Sequence, residues 1–203
     1  MTSTRTRSTT TASAPVRRAG RFALGGLLRS GAGVGAALLV LSAAGCASSA
    51  ASQRHEDDAA RIQKNLATFD ELDYEVFTGQ KWAELHRSHS HDITVHWPDG
   101  HATQGIDKHV EDLKAMFVWA PDTRIKEHPI KIGQGEWTAV VGVIEGTFTE
   151  PMPLGGGKAI PPTGKAYRLR MATVGHWNAK GVMDEEYLFW DNKEFMKQIG
   201  LGE

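Results

Sequence analysis

The sequence predicts an α+β domain in which three helices pack against a curved, mainly antiparallel sheet. Two patterns carry this prediction. Between residues 59 and 118, apolar side chains recur at steps of three and four residues, which is the period of an amphipathic helix. From residue 124 onward, apolar and polar residues alternate in runs that Gly- and Pro-containing loops separate, which is typical of strands. A chain of 203 residues suits one such domain with appendages.

Each predicted helix or strand is indicated by the spacing of its apolar residues and by the residues that would end it. The first helix carries an apolar stripe and meets Gly79, which is placed to end it. The first strand alternates and stops at Pro98-Asp99-Gly100, and the third helix breaks at Ala120-Pro121-Asp122. The predicted elements in order are helices 59–78 and 82–87, strand 92–97, helix 105–118, and strands 124–132, 138–149, 165–177 and 182–190.

Residues 1–46 differ from the rest of the chain and predict an export signal. They contain six arginines and no acidic residue, followed by an apolar run over 31–44 that is too short for a spanning helix. The string Leu41-Ser42-Ala43-Ala44-Gly45-Cys46 resembles a bacterial lipobox, in which Cys46 would be lipidated. Cys46 is the only cysteine, so it has no disulfide partner in the chain. The alternative is a plain cleaved signal with an incidental cysteine.

The rest of the chain is acidic, which bears on its partners and its location. Six of the 23 Lys and Arg residues lie in the signal, so 17 remain against 24 Asp and Glu, a net charge of −7. Such a surface argues against nucleic acid as a partner. Residues 47–60 are small and polar and predict a flexible tether, which leaves 61–203 as the folded domain. We expect an exported protein that a lipid anchors to the outer face of the cytoplasmic membrane.

Several short strings follow one another along the predicted domain. They are His96-Trp97-Pro98, Gly105, Ala120-Pro121-Asp122, Glu145-Gly146-Thr147, Pro161-Pro162-Thr163-Gly164-Lys165, Trp190-Asp191 and Gln198-Ile199-Gly200. In this order they resemble the SnoaL-like polyketide cyclases of the nuclear transport factor 2-like superfamily. The resemblance covers about residues 60 to 202. It implies a cone-shaped fold, in which the curved sheet and the helices enclose an apolar pocket.

The resemblance implies catalytic residues and no metal or organic cofactor. In these cyclases an aspartate in the last strand serves as acid and base for an aldol ring closure, and the matching position here is Asp191. A carboxyl group desolvated among aromatic side chains would have its pKa raised, which suits such proton transfers. The alternative is that Asp191 caps the helix that follows. The family histidine matches His176, although strand parity places His176 on the wet face unless a bulge at Gly175 turns it inward.

Other side chains are candidates for the pocket or for a metal site. Strand parity puts Tyr167, Leu169, Met171 and Thr173 on one face, which suits a pocket or core. We predict no metal site, because the histidines of residues 86–91 suggest a solvated turn rather than converging ligands. The side chains predicted to line the pocket are His96, Phe117, Trp119, Met171, Tyr187 and Phe189.

Two classes of function remain open on the sequence. The first is an enzyme of the cyclase or isomerase type, in which Asp191 and His176 move protons on an apolar, carbonyl-bearing substrate. The second is a non-catalytic lipoprotein domain that binds an apolar ligand or a partner. Export favours the second class, because polyketide cyclisation normally follows synthesis inside the cell. A homodimer that pairs through the sheet is a further expectation.

Overall fold

The computed structural model describes residues 37–202, and side chains from residue 49 onward. Residues Gly45–Glu203 form one compact unit, which contains the sheet and the helices that pack on it. The export signal over 1–46 therefore lies largely outside the described residues, and the Cys46 side chain is not described. Among the described helices, none is both long and apolar enough to cross a membrane.

Helices and strands follow the predicted order with few departures. The helical elements are α1 (Ala37–Glu71), a π-helical turn (Leu72–Phe77), a 3₁₀ helix (Trp82–Arg87), α2 (Ile106–Trp119) and α3 (Asn192–Gln198). The strands are β1 (His89–His96), β2 (Ala102–Gln104), β3 (Arg124–Ile125), β4 (Ile130–Gln134), β5 (Trp137–Thr147), β6 (Met152–Gly155), β7 (Lys158–Ile160), β8 (Ala166–Trp177) and β9 (Met183–Phe189).

The main sheet has the order β2-β1-β9-β8-β5-β3, and β4 also pairs with β5. All of its pairs are antiparallel except β1 with β9. A separate hairpin of β6 and β7 occupies the loop between β5 and β8. The α+β class and the mainly antiparallel sheet are therefore confirmed.

The conformation of residues 47–60 differs from the flexible tether that we predicted. Residues 49–60 are exposed but helical, and they continue α1. Five of the 14 residues in 47–60 are alanine, and Gln, Arg and Glu among the others are also good helix formers. Small and polar residues can therefore form a helix even when no face of that helix is buried. The buried part of α1 begins at Asn65 and Leu66.

The start of β1 also differs from the prediction. We expected a solvated turn up to His91, but the strand begins at His89, whose side chain is fully buried. Ser88 beside it is buried too. The polar composition of residues 87–91 misled the prediction, because Arg87 and His91 are exposed but Ser88 and His89 lie inside the fold. There Ser88 Oγ contacts His89 Nδ1 and the carbonyl oxygen of Leu85.

Sheet parity determines which side chains face the helices. On β8 the inward residues are Tyr167, Leu169, Met171 and Thr173, as predicted. The register pairs Thr173 with Leu188 and Gly175 with Glu186, so these residues of β9 face inward as well. The outward face then carries Tyr187 and Phe189, opposite Val174 and Ala172.

Candidate functional site

A cavity of about 90 Å³ lies between the sheet and the helical side of the domain. Its walls come from the π-helical turn, β1, α2, β3, β5, β8, β9 and α3, and most of the side chains in them are apolar. This volume is well below the roughly 300 to 1,000 Å³ of a typical ligand pocket. The polar side chains in its walls are Asp73, His89, His109, Asp112, Thr173 and Glu186.

Asp73 places a carboxyl group in this wall. It lies on the π-helical turn, between the buried residues Leu72 and Val76. A π-helical turn inserts extra chain into a helix and is often found at functional sites. The Asp73 side chain is about 12% exposed, and its Oδ2 accepts a hydrogen bond from His128 Nε2 at 2.8 Å.

His128 is held from both sides by carboxylates. Its ring is completely buried, stacks on Tyr74 with ring centroids 4.6 Å apart, and meets Asp70 Oδ1 through Nδ1 at 2.7 Å. Lys131 Nζ contacts the other oxygen of Asp70 at 2.6 Å. Two carboxylates can both accept from one imidazole only if both ring nitrogens carry protons. The geometry therefore favours a cationic His128 between Asp70 and Asp73.

The pKa values of Asp73, His128 and Asp70 follow from how deeply each is buried and from the charged groups it contacts. Burial raises the pKa of Asp73 and outweighs the hydrogen bond from His128. Burial would lower the pKa of His128, but the bonds to Asp73 and Asp70 outweigh it and raise the pKa. For Asp70 the effect of burial is smaller than that of the contacts with Lys131 and His128, so its pKa is lowered. Of the two carboxyl groups that contact His128, the one that faces the cavity is thus the one whose pKa is raised.

A second polar group lies in the same wall. Glu186 of β9 meets His109 of α2, with 3.3 Å between Oε2 and Nε2, and lies 3.7 Å from Nε2 of His89. All three side chains are at most 5% exposed. Burial lowers the pKa of His109 to about 4. Burial would raise the pKa of Glu186, but its contacts with His89 and His109 lower it.

Asp191, the predicted acid and base, lies outside the cavity. It follows β9, is exposed, and is the N-cap of α3, where its Oδ1 accepts a hydrogen bond from Glu194 N at 2.9 Å. Such a cap stabilises a helix by about 1 kcal/mol. The alternative that we kept for this residue, the cap, is the one that the geometry supports.

Most of the predicted pocket side chains on the sheet face outward instead. Met171 lines the cavity, but His96, Tyr187, Phe189 and His176 do not. His96 stacks on Tyr187 with centroids 4.2 Å apart, and His176 bonds Asp184 at 2.6 Å, both on the outward face. The physical reason is strand parity. The prediction put Asp191 in the cavity wall, which would require the odd-numbered residues of β9 to point inward, whereas the even-numbered residues do so.

The predicted pocket residues of α2 also belong elsewhere. Phe117 and Trp119 are buried, but they pack in the core beyond the cavity. Phe117 contacts Phe77 and Trp82, with ring centroids 5.1 and 5.4 Å away. Trp119 meets Phe148 at 5.3 Å. Their rings fill space between elements, which is the usual role of buried aromatics.

The sequence carried a usable signal for the acids and histidines that we missed. Asp73 and His109 both interrupt apolar helical stripes, so each is a polar residue on a face that predicts burial. Glu186 shares strand parity with Leu188. A buried ionisable side chain is rare unless it is paired or functional, so these three positions were informative. His128 had no such signal, because it lies between two short strands.

Comparison with known proteins identifies the fold independently. Residues 67–199 match the family model described as SnoaL-like polyketide cyclase. A candidate SnoaL-like polyketide cyclase from a Jannaschia species is 18% identical, with 70% of this chain and 94% of that chain covered and a TM-score of 0.59. IdmH from Streptomyces antibioticus, a candidate polyketide cyclase, is 20% identical, with coverage of 67% and 98% and a TM-score of 0.57.

A protein of unknown function from Burkholderia pseudomallei, described as similar to nuclear transport factor 2, is 19% identical. Coverage is 68% of this chain and 98% of that chain, with a TM-score of 0.54. A comparison with curated proteins gave no match. At these identities the solved structures establish the fold alone, which is the nuclear transport factor 2-like architecture that we predicted.

Proposed function

Because the chain belongs to the SnoaL-like polyketide cyclase family, we propose that it performs acid–base chemistry of the cyclase or isomerase type on a small carbonyl compound. In this proposal Asp73, not Asp191, exchanges protons with the substrate. Asp73 is the buried carboxyl group that lines the apolar cavity and is bonded to His128. That single observation carries the proposal, because a carboxyl group with a raised pKa in an apolar site is the type of group that such enzymes use.

The reaction would begin with removal of a proton from the carbon next to the carbonyl group. The ionised Asp73 takes that proton, and the substrate becomes an enolate. In an isomerase, the protonated Asp73 then returns the proton to a different carbon. In a cyclase, the enolate carbon attacks a second carbonyl, and Asp73 returns the proton to the alkoxide that forms. His128 holds the carboxyl group in one orientation, and Asp70 holds His128.

The size of the cavity limits the substrate. About 90 Å³ admits a few waters or a small ring, and a polycyclic polyketide would require the walls to move. The same observation favours the second candidate, a non-catalytic domain that binds a small apolar ligand. The two candidates differ in one testable respect, which is whether bound ketone loses its α-protons.

Proton exchange in D₂O tests the proposal directly. We expect the purified protein to accelerate exchange of the α-protons of a small cyclic ketone such as cyclopentanone, followed by proton NMR, because Asp73 acts as a base in a dry site. Chemical-shift changes of cavity residues such as Leu188 and Met171 report whether the ketone binds. Binding without faster exchange would favour the non-catalytic candidate, and neither effect for a series of ketones of increasing size would overturn both.

We further propose that the protein is exported and tethered by a lipid on Cys46. The support is the arginine-rich segment, the apolar run and the single cysteine of the sequence. We expect Cys46→Ala to move the protein from the membrane fraction to the soluble fraction of the cells that make it. An unchanged distribution between the fractions would contradict the anchor.

A homodimer through the outward face of the sheet also stays a proposal. That face carries exposed apolar side chains on β4, β5 and β9, which pairing would remove from water. They are Ile130, Ile132, Trp137 and Phe189.

A further inference from the structure

Three buried side chains of the cavity wall present ligand atoms to one another. His89 at the start of β1, His109 on α2 and Glu186 on β9 each offer one such atom, and all three atoms lie within 4.8 Å of one another. The two measured contacts, from Glu186 Oε2 to the Nε2 atoms of His109 and His89, are 3.3 and 3.7 Å. A proton-transfer role for Asp73 does not explain this convergence.

The contacts of Ser88 fit one tautomer of His89. With its proton on Nδ1, His89 donates to Ser88 Oγ, 2.8 Å away, and Ser88 Oγ donates to the carbonyl oxygen of Leu85 at 3.1 Å. This tautomer leaves Nε2 unprotonated, 3.7 Å from Glu186 Oε2.

Two of the converging atoms have no hydrogen bond. His89 Nε2 and Glu186 Oε2 are buried and lack a hydrogen-bond partner within the described part of the chain. His109 Nδ1, the ring nitrogen that does not face Glu186, lacks one as well. A buried acceptor without a partner is destabilising, and more so when it is charged. A cation between His89 Nε2 and Glu186 Oε2 would give both atoms a partner.

From this arrangement we propose that His89, His109 and Glu186 bind a divalent first-row transition-metal ion, with an open position facing the cavity. Two imidazoles and one carboxylate are a ligand set that such ions accept, with a further position left for water or substrate. Metal–ligand bonds of 2.0 to 2.1 Å place tetrahedral ligand atoms about 3.3 to 3.4 Å apart. The contacts of 3.3 and 3.7 Å are close to that spacing. The ligand atoms of the two histidines lie within 4.8 Å of each other, and binding would draw them together.

The surrounding structure supports the site as well. The bond from His89 Nδ1 to Ser88 is the kind of outer contact that orients a metal-bound histidine. The pairing of β1 with β9 shifts register between His89 and Thr94, and such irregularities re-aim side chains.

Metal titration of the untagged full-length protein tests the inference. After treatment with EDTA and its removal, we expect one Co²⁺ per chain to bind with the intense visible absorption of a tetrahedral site. Zn²⁺ should displace the Co²⁺ and raise the melting temperature, by an amount that grows with the logarithm of the ratio of free Zn²⁺ to Kd. A polyhistidine tag is avoided because it would bind both ions.

Variants locate the ion and exclude a surface site. Glu186→Gln keeps the shape of the side chain, and we expect it to abolish the Co²⁺ spectrum, with His109→Gln as a second variant should the first fail to fold. Ser88→Ala should weaken binding by about 10- to 100-fold, because it removes only an outer contact. His96→Gln, on the outward face, is the matched control and should bind as the wild type does.

Two results would overturn the site. One is a metal-free protein that takes up no ion at one per chain. The other is an equal loss of binding in Glu186→Gln and His96→Gln, which would indicate an adventitious surface ion. The proton-transfer role of Asp73 is tested separately, since ketone exchange can persist or fail with no change in Co²⁺ binding.

Discussion

Replacing Asp73 by Asn is expected to slow α-proton exchange in a small cyclic ketone by about 10² to 10⁴, the range that a positioned general base contributes. Asn has nearly the same shape as Asp but cannot take a proton from carbon. It can still accept the hydrogen bond from His128 through its amide oxygen, so the turn that carries it should remain folded. Proton NMR of the ketone in D₂O measures the effect.

Asp191→Asn is the matched control for this experiment. Asn caps a helix as well as Asp does, so α3 should be retained and the exchange rate should equal that of the wild type. The opposite pattern, a fast Asp73→Asn protein and a slow Asp191→Asn protein, would return the chemistry to the end of the last strand. Circular dichroism of both variants confirms that a change in rate is not a change in folding.

Replacing His128 by Leu is expected to destabilise the domain by about 3 to 5 kcal/mol, measured as the free energy of unfolding in urea. The substitution leaves the buried Asp73 without its hydrogen-bond donor and removes one donor from Asp70. His86→Leu is the control, because His86 is exposed and bonds only the carbonyl oxygen of Ala83. It should change the free energy of unfolding by less than about 1 kcal/mol.

The same variant is expected to remove a pH dependence. Since the folded pKa of His128 lies above its unfolded value of about 6.5, its contribution is complete below pH 6.5 and is lost as the pH rises through the folded pKa. The difference in stability between wild type and His128→Leu should therefore shrink with rising pH. His176, whose pKa the bond to Asp184 raises, contributes in the same direction in both proteins and cancels. A difference that stays constant from pH 6 to pH 9 would contradict a cationic His128.

Local periodicity was sufficient for the architecture because each helix and strand buries one face. The stripe that includes Leu66 and Phe69 indicated the first helix, and alternation indicated that Tyr167, Leu169, Met171 and Thr173 share an inward face. These patterns act within a few residues, so they are readable without knowing what packs against them. The helical state of residues 49–60 was the exception, because an exposed Ala-rich helix has no stripe to detect.

The site itself depended on how distant segments meet. The carboxyl group of Asp73 is bonded to His128, which lies 55 residues further along the chain. His128 lies between two strands, where no residue period predicts which way its side chain points. Regular pairing of β9 with β8 sets Leu188 beside the inward Thr173, and Glu186 beside Gly175. From the sequence we had placed Tyr187 and Phe189 inside instead, and a strand offset by one residue exchanges its two faces.

The sequence alone determined the α+β class, the order of the elements and the family resemblance of residues 60 to 202, because each rests on local pattern. Only the tertiary structure decided that Asp191 caps α3 while Asp73 faces the cavity beside Glu186. The physical reason is that a carboxyl group has no fixed chemistry of its own. Its pKa and its partners are set by burial and by side chains that only the packing of helices on the sheet brings within reach.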